Sequence, residues 1–298
     1  MIPYVRRIEF EYGRCDQVSP LIRRVVANNP GPFTYTGTGT YIVGHGQVAV
    51  IDPGPDDETH LAALLAAVAG ETVSHILVTH HHADHSPLAA ALKAATGAPV
   101  IGCPLPSAQP DEGPRVEAGT DLAFRPDITL CSAGPAAAGP GWTLSALPTP
   151  GHTSNHICYA LAEENCLFSG DHIMGWSTTV ITPPDGDMTD YLSSLQAVRG
   201  AGFETLWPTH GPPIREVAPF IDAYAAHRRE RIDQILAALE AGPATIGELV
   251  PRLYTDVDPR LHPAAARSML AAMIHLVRKG RIVAEGGPGP GARYRPAL

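Results

Sequence analysis

Alternating and helical spacings of apolar residues divide the chain into elements. Thr40-Tyr41-Ile42-Val43 and Gln47-Val48-Ala49-Val50-Ile51 alternate as strands, and Gly44-His45-Gly46 between them predicts a hairpin. Asp52-Pro53-Gly54 ends the second strand. Leu61 to Val68 is apolar at helical spacing, and Asp56, Asp57 and Glu58 suit the positive end of that helix. Ile76 to Val78 predicts a short buried strand. A helix from about Pro87 to Thr96 and a strand at Pro99-Val100-Ile101 follow. Residues 1–37 read as irregular, and residues 102–141, rich in Pro and Gly, yield no assigned element. Trp142 to Leu147 resumes as a strand, Ile157 to Leu161 and Cys166 to Phe168 form a further pair, and a helix is expected from about Thr189 to Val198.

The character changes near Ala218, which predicts two domains, 1–217 and 218–298. Phe220 to Leu239 is helical in spacing and stops at Gly242-Pro243, and a short helix begins at Thr245-Ile246. A longer helix spans Ala264 to Lys279. Arg281 to Ala284 and Arg293-Tyr294-Arg295, either side of a Gly/Pro turn, read as a two-stranded wing.

Candidate chemistry sits on the loop after the Ile76–Val78 strand, Thr79-His80-His81-His82-Ala83-Asp84-His85. The C-terminal ends of strands are where α/β folds place their sites. Alternate side chains of an extended loop share a face, so His80 and His82 can reach one ion. Asp84 and His85, past the turn, would address a second. Imidazole and carboxylate without thiolate suit Zn²⁺ and also Mn²⁺ or Fe²⁺. His152, Asp171 and His210 recur beside glycines at later strand ends and complete the set.

Composition narrows the alternatives. The chain has 298 residues, 44% of them hydrophobic and 17% charged, enough for a real core. The net charge of −9 is uneven: residues 1–219 carry 10 Lys+Arg against 22 Asp+Glu, and residues 220–298 carry 11 against 8. An acidic body argues against a continuous phosphate-binding surface. Five cysteines (Cys15, Cys103, Cys131, Cys158, Cys166) without a CxxC pair read as reduced, buried thiols of a cytoplasmic enzyme, with a disulfide between two of them left open but not called for by the spacing. No secretory h-region and no long apolar run is seen, so no membrane association is expected.

In order, Asp52-x-Gly54, the His80 to His85 motif, Gly151-His152, Gly170-Asp171 and His210-Gly211 resemble the metallo-β-lactamase superfamily over about residues 35–215. The resemblance implies an α/β (α+β) fold, an αββα sandwich with a two-metal site on one edge. Carried over, His80, His82 and His152 would hold one Zn²⁺ and Asp84, His85 and His210 a second, with Asp171 bridging. Asp84 and Asp171 would be the catalytic carboxylates, Asp84 aligning a hydroxide that bridges the ions. The stretch from Asp171 to Thr179 looks like the lactamase-like branch that includes an endoribonuclease. β-Lactamases often carry Cys near the position of Asp171, which weakens an antibiotic-hydrolysis reading. Asn155, His156, Trp176 and Thr178 are candidates for bordering substrate, although filling core is the ordinary use of Trp176. His81 should point away from the ligands, and His172 either supports one or packs.

The tail resembles a winged helix-turn-helix domain. Its third helix carries Arg267, Arg278 and Lys279 but also Met269, Leu270, Met273, Ile274 and Leu276, which suits packing, dimerising or walling the cleft better than reading DNA. Three functions follow: hydrolysis of a small-molecule ester, thioester or lactam; cleavage of single-stranded RNA; or ligand-sensing DNA regulation. A homodimer is the expected assembly if the tail dimerises.

Overall fold

The computed structural model describes residues 1–105, 119–255 and 257–297. Seven strands form the first sheet in sequence order: β1 (Cys15–Gln17), β2 (Ile22–Val26), β3 (Gly39–Val43), β4 (Gln47–Ile51), β5 (Thr72–Leu77), β6 (Val100–Gly102) and β7 (Ile128–Thr129). Helices α1 (Glu58–Ala67) and α2 (Leu88–Thr96) join its parallel strands. The second sheet runs β12 (Thr205–Pro208), β11 (Cys166–Gly170), β10 (Ile157–Leu161), β9 (Trp142–Pro148) and β8 (Gly134–Gly139), with helix α3 (Met188–Ala201) between β11 and β12.

The sandwich follows from strands that are apolar on both faces. In β3 and β4, Tyr41, Val43, Ala49 and Ile51 face the second sheet, where Leu144, Tyr159, Phe168 and Trp207 meet them. The alternate residues Ile42, Val48 and Val50 point outward under Leu64 of α1 and Leu92 of α2. The second sheet does the same, with Cys158, Leu167 and Leu206 packing under Tyr191 and Leu195 of α3. Period-2 alternation puts successive residues on opposite faces, so two buried faces require a helix layer on each outer side. The result is αββα.

Helix α4 (Val217–Glu240) serves two cores. Its first half places Phe220, Ile221 and Tyr224 in the cluster beneath α3. Its second half places Ile235 and Leu239 in a separate C-terminal cluster. That cluster is closed by α5 (Ile246–Leu253), α6 (His262–Arg278) and a small sheet of β13 (Ala244–Thr245), β15 (Arg293–Pro296) and β14 (Ile282–Ala284), the wing expected from the sequence. Helix α6 buries Ala265, Met269, Ala272, Met273 and Leu276, as its composition predicts for a packing helix.

Three expectations are corrected. Residues 1–37 are not all irregular: β1 and β2 pair there, and Ile22, Val25 and Val26 are buried. Arg23 and Arg24 disguised β2, yet Arg23 reaches Glu71 at 2.6 Å and Arg24 donates to the Glu9 carbonyl at 3.2 Å. The stretch 102–141 contains β7 and β8, while its residues 106–118 lie outside the described residues. Cys103 and Cys131 form a disulfide rather than remaining reduced. They follow β6 and β7, whose register sets Gly102 beside Thr129 and so delivers both cysteines to one place. This pairing withdraws the cysteine argument for a reducing compartment. Cys15, Cys158 and Cys166 are free thiols, and Cys15 is half-buried rather than buried. No helix among the described residues is long and apolar enough to cross a membrane.

Candidate metal centre

Strand ends and tight turns bring the histidines together. The His80–His85 loop leaves β5, Asp171 follows β11, and His210 follows β12. Tyr159 of β10 donates to the Val78 carbonyl at 2.9 Å, and Tyr41 of β3 donates to the Pro208 carbonyl at 2.7 Å. These two hydroxyls brace one sheet against the other at the edge that carries the site. His152 sits after Gly151, which has φ +135° and lies so close to the Tyr191 backbone that a Cβ would come within 2.4 Å. Only glycine fits that turn.

Three trios place one donor atom each within 4.8 Å of one another: His80, His82 and His152; Asp84, His85 and His210; and His80, His85 and Asp171. The third trio overlaps both others. The two oxygens of Asp171 divide accordingly. Oδ1 lies 3.6 Å from His85 Nε2 and 3.5 Å from His210 Nε2, and Oδ2 lies 3.8 Å from His152 Nε2. Asp84 Oδ2 is 3.1 Å from His210 Nε2.

The donor atoms fit a cation. His80 Nε2, His85 Nε2, His210 Nε2, Asp84 Oδ1 and Asp171 Oδ1 are all buried without a hydrogen-bond partner. Buried polar atoms are normally satisfied, so five converging orphans mark a ligand site. Meanwhile four of the five rings have Nδ1 tied down outside the cluster: His80 Nδ1 to Thr79 Oγ1 at 3.0 Å, His85 Nδ1 to Asp52 Oδ2 at 2.9 Å, His152 Nδ1 to the Val180 carbonyl at 2.7 Å, and His210 Nδ1 to the Gly37 carbonyl at 3.2 Å. Such bonds fix the tautomer and aim the opposite nitrogen inward, where His152 Nε2 lies 3.2 Å from His82 Nδ1.

Charge points the same way. Burial holds His80 and His82 well below the usual histidine range, with neighbouring rings adding to it, so both present neutral imidazole. Burial would also depress His85 and His210, but Asp84 and Asp171 outweigh it and raise both. Burial would raise the Asp84 carboxyl, yet His85 and His210 hold it down at about 2. Asp171 is lowered for the same reason. The carboxylates thus draw positive charge into a buried cluster, protons in one case or a divalent cation in the other.

The remaining candidates divide. Trp176 and Thr178 line a cavity of about 310 Å³ that opens from His82, Asp84, His152 and Asp171. Trp176 stacks on Tyr35 at 4.9 Å and walls the cleft instead of filling core. Asn155 and His156, expected to border substrate, lie buried behind the site. Asn155 Oδ1 is 2.8 Å from His81 Nδ1, and its amide donates to the Cys103 carbonyl. His156 Nε2 accepts the Asp171 backbone N–H at 3.2 Å and so shapes the turn that presents the carboxylate. His81 points away from the trios toward Asn155 and Asp185, and His172 packs against the Tyr191 ring at 5.0 Å. Asp52, part of the Asp52-x-Gly54 motif, also belongs to the site: it accepts from Thr79 N, Thr79 Oγ1 and Thr209 Oγ1 as well as meeting His85. Its position after a strand beside Gly54 was the available signal.

Residues 35–210 match the model of the metallo-β-lactamase superfamily, and residues 245–291 match the β-lactamase associated winged helix domain. The "Beta-lactamase-like protein 2 homolog" of Caenorhabditis elegans is 31% identical over 274 residues, covering 89% of this chain and 87% of that protein. An "Atrochrysone carboxyl ACP thioesterase" of Claviceps purpurea is 31% identical over 256 residues, covering 81% of this chain and 74% of that one. Among solved structures, a β-lactamase domain protein from Burkholderia ambifaria superposes with a TM-score of 0.80 at 20% identity, covering 99% of this chain and 97% of that one; this supports the fold alone. With fold, donor cluster and sequence in agreement, the chain belongs to the metallo-β-lactamase superfamily of hydrolases and carries its associated C-terminal winged-helix domain.

Proposed function

We propose that the protein is a binuclear, metal-dependent hydrolase of a small ester, thioester or lactam, with a thioester as its natural substrate. The observation that carries this reading is a buried set of orphaned nitrogen and carboxylate donors opening directly onto a largely apolar cavity. The relative named as an acyl-carrier-protein thioesterase favours the thioester.

In this reading His80, His82 and His152 hold one cation, Asp84, His85 and His210 hold a second, and Asp171 reaches both. The donor types suit Zn²⁺ first and Mn²⁺ or Fe²⁺ next. When bound, the cations supply Lewis acidity, acidifying water and polarising the acyl carbonyl. Asp84 would hold the cation and orient the attacking water with its two oxygens, Oδ2 beside His210 Nε2 at 3.1 Å and Oδ1 buried without a hydrogen bond. Phe33, Met174 and Trp176 from the body and Tyr254, Val257 and Leu261 from the tail form the apolar wall that excludes solvent water from the acyl group. The tail from residue 218 therefore acts as a wall of the substrate cavity, and α6 spends its apolar face on packing.

Cleavage of single-stranded RNA is supported less well. Arg228 is the one Lys or Arg lining the cavity among the described residues, and the body around it is acidic. The test is a zinc-loaded preparation offered acyl-thioesters, nitrocefin and single-stranded RNA in parallel. Thioester turnover is expected, abolished by chelation and reduced about a hundredfold or more in Asp171→Ala, with unfolding still cooperative. RNA cleavage without thioester turnover, or an undiminished Asp171→Ala variant, would reject the proposal.

A further inference from the structure

One wall of the cavity carries a cation with no counter-ion. Arg228 of α4 is 7% exposed and lines the cavity. Its Nη2 donates to the Thr179 carbonyl, and its guanidinium lies 5.3 Å over the Tyr191 ring. Nε is buried with no acceptor. No Asp or Glu among the described residues pairs with it, whereas Arg23, Arg199 and Arg278 meet Glu71, Asp222 and Asp187. A buried, unpaired guanidinium is costly, and partners are usually supplied by the protein itself. Arg228 lines a smaller cavity of about 170 Å³ as well, but the larger one is the one that also reaches His82, Asp84, His152 and Asp171.

We propose that Arg228 recognises an oxyanion, a carboxylate or a phosphate, on the substrate of this site. The planar guanidinium fork matches either group. Arg228 and the metal cluster are joined through one residue: the Thr179 carbonyl accepts from Arg228 while its hydroxyl donates to the Asp171 carbonyl at 2.8 Å. Anion and scissile carbonyl therefore belong to one short molecule lying in a single cavity of about 310 Å³. The wall beside them, Tyr254, Val257 and Leu261, suits the apolar carbons in between. The oxyanion is either a terminal carboxylate on the acyl chain or a phosphate on the thiol leaving group. This inference rests on the acyl-hydrolase reading for its chemistry, but the anion site can be measured without turnover.

The zinc-loaded enzyme is offered three thioesters: pentanoyl-N-acetylcysteamine, glutaryl-N-acetylcysteamine and pentanoyl-phosphopantetheine. One charged substrate should exceed the neutral one in kcat/KM by about ten- to a hundredfold, mainly through KM. That ratio should collapse toward one in Arg228→Gln and survive in part in Arg228→Lys. The arm that wins identifies the source of the anion. In parallel, calorimetry compares glutarate with pentanoate and phosphopantetheine with pantetheine as ligands of wild type and Arg228→Gln. An Arg228-dependent preference for a charged member, even if no thioester turns over, supports the anion site while rejecting the thioesterase reading. Equal losses on every substrate, or no Arg228-dependent preference in either ligand pair, would overturn the inference.

Discussion

Asp52 shows how much of the site depends on a side chain that touches no open space. It is fully buried with φ +49°, a backbone conformation few non-glycine residues adopt, and it accepts two hydrogen bonds from Thr79 and one from Thr209. Its Oδ2 lies 2.9 Å from His85 Nδ1, so it both sets that ring's tautomer and anchors the start of the histidine loop. Asp52→Asn keeps the volume but removes the charge and one acceptor. Outer partners of metal ligands typically contribute ten- to a hundredfold in affinity, so zinc binding should weaken by about that factor in competition with a chromophoric chelator. Unchanged affinity would show that Asp52 only anchors the loop. The ligand residue types were legible because each sits in its own local motif. The role of Asp52 was not, because its partners lie 27, 33 and 157 positions away and only the fold reveals them. The same applies to Asn155 and His156: nearness in sequence to His152 suggested the cleft, while their hydrogen bonds turn them inward.

At the level of elements, the pattern of the chain gave away what was regular and hid what was edged or charged. Strands β3, β4, β9 and β10 alternate or run apolar, and their limits were read to within a few residues. Strand β8, Gly-Pro-Ala-Ala-Ala-Gly, lacks the branched and aromatic residues that announce a strand, and it lies at the edge of its sheet, where proline is tolerated. Capping was clearer. Thr245 accepts from the Glu248 backbone N–H while the Glu248 carboxylate accepts from the Thr245 N–H, a complete capping box at the start of α5. Thr245→Ala should destabilise the protein by about 1 kcal/mol, read as a lower denaturation midpoint in urea with an unchanged slope. Because α5 packs against α6, whose residues Ala264, Ala265 and Ser268 border the cavity, the same variant should raise KM more than it lowers kcat. An unchanged midpoint would mean that the box does not hold the helix.

Across the whole molecule, burial keeps histidines that lack a carboxylate partner neutral, and this shapes the response to acid. His60, on α1 and outside the metal cluster, is the cleanest case. Burial pushes it down to about 4, with Asp57 opposing only weakly, and its Nε2 lies 2.9 Å from Thr40 Oγ1. A histidine whose folded value is depressed contributes no penalty above the unfolded value of about 6.5, because both states are then neutral. Below it the unfolded chain takes up the proton first, so stability falls as pH drops from about 6.5 toward 4 and levels off beneath that. A gap of that size corresponds to a loss of about 3 kcal/mol. His172, at about 3 for the same reason, adds a loss over a wider window. Subtraction isolates His60: the stability difference between wild type and His60→Gln, measured by urea denaturation at several pH values, should shrink by that amount between pH 7 and pH 4. Metal release affects both proteins alike and cancels, since His60 touches none of the proposed ligands. A difference that stays constant across this range would mean that His60 takes up its proton in the folded protein as readily as in the unfolded chain.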